Sequence, residues 1–228
     1  MHLHPARALA TASIAAIGIL GLAACTAPAE PEAAPAEETT SEETTAPEAP
    51  TAEGTPAWAN PISTEGELIA TITAGDITIE AYQLGTEKAT KTGQFATPDG
   101  DPVIAEGDEI VFVNYAITNG GEAIDLSASL VSIDARYDDW PYMQGMDSVV
   151  DQELFEKQGV FSSGVATGGY QESNIYTLGA GEGFSFGENF PYQAGSPITF
   201  DVSITPIDAE GELIHDERVE AEGAGTIG

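Results

Sequence analysis

The sequence predicts an all-β fold: an antiparallel β-sandwich of about seven to nine short strands with one short helix. Three observations carry that expectation. Ile198, Phe200, Val202 and Ile204 alternate with Thr199, Asp201, Ser203 and Thr205, the two-residue period of a strand with one buried face. Residues 108–118 (DEIVFVNYAIT) are apolar on both faces near the middle, as a central strand covered on both sides would be. Runs of this kind recur at short intervals with Gly-rich turns between them, which is the layout of a sandwich.

The elements follow in order from Trp58. Leu68, Ala70 and Ile72 alternate with polar neighbours, Ala74-Gly75-Asp76 turns the chain, and Ile77, Ile79 and Ala81 alternate again. After the central strand, Asn119-Gly120-Gly121 reads as a hairpin turn, with 122–133 as the returning strand. A helix is expected near 147–159: Asp147-Ser148 can cap it, Asp151 sits in its first turn, Val150 and Leu154 share a face, and Gly159 can stop it. Late in the chain, 208–211 turns into a return over 212–220.

Ahead of this domain the chain changes character twice. Residues 1–7 carry Arg7, the only positive side chain before Lys88, and 8–24 are uncharged, ending in the small residues Ala23 and Ala24. That is the n-region and h-region of an export signal. The 17 uncharged residues also lie at the short end of a membrane span, though their Ala, Gly, Ser and Thr content makes a weak one. Cys25, the only cysteine of the 228 residues, closes the apolar run, so the chain has no internal disulfide. Leu22-Ala23-Ala24-Cys25 resembles the lipobox of bacterial membrane lipoproteins, high-GC Gram-positive ones in particular. The resemblance implies a signal peptide over 1–24, cleavage just before Cys25 and a diacylglyceryl group on its thiol. An ordinary secretory signal with an incidental Cys25 is the plainer alternative. Each buried methylene contributes about 0.8 kcal/mol, so two or three acyl chains anchor almost irreversibly.

Residues 26–57 contain no aromatic residue and no Leu, Ile, Val or Met, but hold eight glutamates and no positive charge. Such a segment buries too little surface to offset its ordering entropy and is expected to be a disordered tether. Its reach runs from ~30 Å as a coil to ~100 Å in polyproline geometry. The expected organisation is therefore 1–24 signal, 25–57 lipidated cysteine plus tether, and 58–228 folded domain.

Charge narrows the partners. The chain has 38 Asp and Glu against 6 Lys and Arg, formally −32, and the part after residue 57 keeps 30 acids and 5 bases. Such a surface repels nucleic acid and anionic lipid, so no nucleic-acid role is expected. The expected contacts are the membrane through the lipid on Cys25 and an unidentified cell-wall, surface-protein or glycan partner, with the chain a monomer.

Chemistry is sparse. His215 is the one histidine after the signal segment and lies among charged residues, and no G-x-S-x-G is present. Asp134, Asp138 and Asp139 are weak calcium candidates, as are Asp99 and Asp101, but the spacing of a calcium loop is absent. Met143 and Met146 have no His or Cys nearby to complete a soft-metal site. No cofactor is expected. The stretch 138–146 (DDWPYMQGM) groups Trp140, Tyr142 and Met143 in a loop, either to grip a partner or to fold back and plug the sandwich.

Two longer resemblances complete the reading. GDEIVFVNYAITNGGEAIDL (107–126) and YTLGAGEGFSF (176–186) resemble strand segments of immunoglobulin-like domains of bacterial surface proteins, which implies the fold rather than a function. VNYAITNGGEAIDLS (113–127) and ITFDVSI (198–204) loosely resemble immunophilin-type prolyl isomerases, and that resemblance implies a pocket around Tyr115 and Asp125. Ile124 stands where that family has an aromatic, and its pocket-floor segment is missing. The expectation is a lipid-anchored, non-catalytic interaction or accessory module, with an extracytoplasmic enzyme or chaperone, or a calcium- or small-ligand-binding lipoprotein, as the alternative.

Overall fold

The computed structural model describes residues 53–228. Leu22, Ala23, Ala24, Cys25 and the tether up to residue 52 lie outside the described residues. Among the described residues, nine strands and one α-helix build an antiparallel sandwich. One sheet has the order β1-β2-β3-β7, from β1 (Glu67–Ala74), β2 (Ile77–Lys88), β3 (Glu109–Asn119) and β7 (Gly183–Pro191). The other is β5-β8-β9, from β5 (Ser132–Tyr137), β8 (Pro197–Ile204) and β9 (Val219–Thr226). A small ribbon pairs β4 (Ile124–Leu126) with β6 (Tyr176–Leu178). The chain crosses between the sheets from β3 to β5 and from β7 to β8, while β3 pairs β7 and β5 pairs β8. That is the order of immunoglobulin-like sandwiches.

The alternation works as the pleat demands. Ile198, Phe200, Val202 and Ile204 on β8 are all buried and meet Val111, Val113, Tyr115 and Ile117 of β3 in one core. Each fully buried Ile or Phe contributes roughly 1.5–3 kcal/mol. β3 is covered on both faces, because Ile110 and Phe112 point the other way into a second cluster with Leu154 and Phe155 of helix α1 (Gln152–Gln158). Gly75, at φ 60°, closes the tight turn between Ala74 and Ile77. β9 lies so close to β1 that a Cβ on Gly223 would stand 2.1 Å from Ile72 Cγ1.

Several sequence expectations are corrected. Asn119-Gly120-Gly121 is not a hairpin, because β2 and β7 already occupy both edges of β3. Asn119 instead knots the loop: its Nδ2 donates to the carbonyls of Glu122 and Leu178, and its Oδ1 accepts from Gly121 N–H. The return over 122–133 is two strands in different sheets, broken at Leu130 with φ 51°. A bulge between Leu68 and Ala70 breaks the alternation and leaves Leu68 exposed. The helix starts at Gln152, capped by Asp151, whose side chain accepts from Glu153 N–H, and Gly159 ends it in the left-handed conformation. Phe155, not Val150, joins Leu154 in the core, and Val150 is 59% exposed. The segment 212–218 holds a 3-10 turn at His215–Glu217 rather than a strand, so the strand pairing β8 begins only at Val219.

Among the described residues, contacts of the folded body reach back to Glu53, ahead of the expected boundary at Trp58. Glu53 N–H donates to Gly181 O, and Gly54 O accepts from Gly183 N–H. Trp58 is buried, donates Nε1–H to Thr177 O at 2.9 Å, and packs edge-on against Tyr176. The outer edge of β7 is covered by irregular backbone: Ser185 N–H reaches Asn60 O and Gly187 N–H reaches Phe161 O. Asn189 exchanges two bonds of 2.9 Å with Val149. A covered edge cannot template pairing with another chain.

Candidate binding loop and end cleft

The loop 138–146 leaves β5 at the end of the sandwich where β7 finishes, as shown by the Tyr137 hydroxyl donating to Pro191 O at 2.8 Å. Short-range bonds hold it. Arg136 Nη2 donates to the carbonyls of Met143 and Gln144 at 3.0 and 2.9 Å, and Trp140 Nε1–H also reaches Gln144 O. Gln144 Nε2 ties the loop to Ala96 O. Trp140 is half-buried against the core and Tyr142 packs edge-on to it at 5.3 Å. Met143 points out, 97% exposed, while Met146 packs inward, so the two sulfurs diverge. The two readings of this loop therefore divide among its residues: Trp140 plugs and Met143 is displayed.

The weak metal candidates are spread out. Asp138 accepts from Thr199 Oγ1 and both carboxyl oxygens of Asp139 accept from Gln193 Nε2. Asp134 faces outward in register with Asp201 of β8, which in turn faces Glu222 of β9. Asp99 and Asp101 belong to a turn closed by Thr97 N–H to Asp101 O, with Gly100 at φ 91°. Among the described residues no three His, Cys, Asp or Glu side chains gather as a metal ligand set. His215 is exposed on its 3-10 turn.

Tyr115 and Asp125 do not share a pocket. Tyr115 is enclosed between the sheets, edge-on to Phe200, and its hydroxyl donates to Glu188. Asp125 is half-buried on β4 and accepts from Thr177 Oγ1. Sequence reasoning passed over Glu188. It lies on the inward face of β7 opposite Val113, and burial, with Asp134 adding repulsion, pushes its carboxyl up to about 7 against the pull of the Tyr115 hydrogen bond. As a residue it is half-buried, with its carboxyl end accepting from the hydroxyl of the enclosed Tyr115. One acid among so many carries no sequence signal; only its in-phase position with Phe184, Phe186 and Phe190 could have drawn attention.

At the other end of the sandwich a cleft of about 480 Å³ opens between the β1–β2 turn, the segment after β3, the segment after β8 and the start of β9. Ile77, Ile204 and Ile207 line it as buried residues, with half-buried Ile124, Ile214 and Val219. Asp76, Glu122, Asp125 and Glu217 also line it, and no Lys or Arg does. This lies at the end of the body that holds Gly54, since Asn119 both lines the cleft and bonds Gly181 and Glu182 beside Gly54. No helix among the described residues is long and apolar enough to cross a membrane. No family model, no curated protein and no solved structure matches this chain.

Proposed function

We propose that this chain is a lipid-anchored, non-catalytic interaction or accessory module of the bacterial cell envelope, held by Cys25 and displaying its sandwich outside the membrane. The observation that carries the reading is polarity along β7. The chain enters the body beside Gly183, at one end of that nine-residue strand. The loop with exposed Met143 stands beside Pro191, at the other end. At about 3.3 Å per residue the two are roughly 27 Å apart. A domain tethered through the segment ahead of Glu53 thus carries, among the described residues, its most exposed large apolar side chain at the end away from its attachment. The bonds from Arg136, Trp140 and Gln144 order the loop before any partner arrives, which lowers the entropy cost of binding.

Thiol-directed photocrosslinking from Met143→Cys in intact cells tests this, with Glu210→Cys in the turn beyond β8 as the comparison. A discrete adduct with an envelope component from position 143 and none from position 210 is the expected outcome. Identical labelling from both positions contradicts the reading.

A further inference from the structure

The cleft at the tether end of the sandwich has the composition of a ligand site, and we infer that it binds a small amphiphilic organic cation: a protonated amine carried on an aliphatic body. This does not depend on the anchored-module reading. The apolar part is built from separate segments, with Ile77 from the β1–β2 turn, Ile124 from β4, Ile204 and Ile207 from β8 and beyond, and Ile214 before the 3-10 turn. A volume of about 480 Å³ falls in the range of small-molecule sites, which are mostly apolar with a few polar groups that orient the ligand.

The charged groups of the lining are all of one sign. Asp76, Glu122 and Glu217 are exposed, and none of their carboxylates has a hydrogen-bond or ion-pair partner among the described residues. Asp125 spends one oxygen on Thr177 Oγ1. The nearest arginine in sequence, Arg218, turns to Glu220 at 2.9 Å. Anionic and neutral apolar ligands therefore meet the wrong potential or none, whereas an alkylammonium places its chain among the isoleucines and its charge among the carboxylates. The acidic tether itself is excluded as the occupant by the same charge complementarity, since residues 26–52 carry glutamates and no base.

The test titrates the full chain with n-octylamine, n-octanol and octanoate at neutral pH and low salt, followed by methyl NMR and calorimetry. Octylammonium should bind at least tenfold more tightly than octanol, octanoate should not bind, and the Ile207 and Ile214 methyls should move while Met143 stays still. The double variant Glu122→Gln/Glu217→Gln should weaken octylammonium about three- to tenfold, the worth of two surface charges, and leave octanol unchanged. Both positions are exposed, so the variant should keep the parent's unfolding midpoint. Equal affinity for amine and carboxylate, octylammonium binding that ignores the double variant, or shifts centred away from the isoleucines would each overturn the assignment.

Discussion

Tyr115 on β3 donates its hydroxyl hydrogen to the carboxylate of Glu188 on β7, inside the space between the two sheets. An acid facing a core is costly in its charged form, and its carboxyl is held up to about 7 from an ordinary 4.5. The consequence for stability has a definite sign. Below pH 4.5 the group is protonated in both folded and unfolded chains and contributes no difference. Between 4.5 and 7 the unfolded chain ionises while the folded one does not, so stability falls as pH rises, and above 7 the loss is complete.

The loss is of order 1–3 kcal/mol, the upper figure approaching the full shift and the lower one allowing for partial access of water. Urea denaturation of wild type and Glu188→Gln across pH 4 to 8 isolates it, because the other acids cancel in the difference. The variant should gain on wild type as pH rises from 4.5 to 7 and then run parallel. A constant difference across that range would show that Glu188 ionises normally.

Asp147 is a buried acid with a different task. Its carboxylate accepts from Gln94 N–H, Phe95 N–H and Ser148 N–H, fastening the loop before Ile104 to the segment before α1. Asp147→Ala removes a buried acceptor shared by three part-buried backbone N–H groups and should cost about 2–4 kcal/mol in urea unfolding. A cost under about 1 kcal/mol would mean that water replaces the carboxylate freely.

The aromatic loop separates packing from display. Trp140→Ala removes a ring that packs on the core and should destabilise by about 2–3 kcal/mol. Met143→Ala should stay within about 0.5 kcal/mol of wild type, because the side chain touches almost nothing. Paired denaturation curves decide this, and equal losses would contradict the division of roles within the loop.

What was legible in the sequence was local. β2 and β8 announced themselves by alternation, β3 by a run apolar on both faces, the turn at Gly75 by its glycine, and the end of α1 by Gly159, because each depends on neighbours within a few residues. What was not legible depended on distant occupancy. Nothing near Asn119 reveals that both edges of β3 are taken, so a favourable turn dipeptide was read as a hairpin. Asp147 looked like a helix cap because its use by Gln94 and Phe95, more than fifty residues earlier, is invisible locally. The cleft draws on four segments between Ala74 and Val219, and its carboxylates are lost among 38 acids until the fold gathers them. The loop was noticed by composition alone, and its orientation away from Glu53 comes from the topology.

The anchored-module account rests most directly on Cys25, and the intact mass of the mature protein purified from membranes tests it. The account predicts a chain that begins at Cys25 and carries a diacylglyceryl group on its thiol, and a Cys25→Ala variant that leaves the membrane fraction. A free Cys25 thiol, or a mature chain that still begins at Met1, would contradict it.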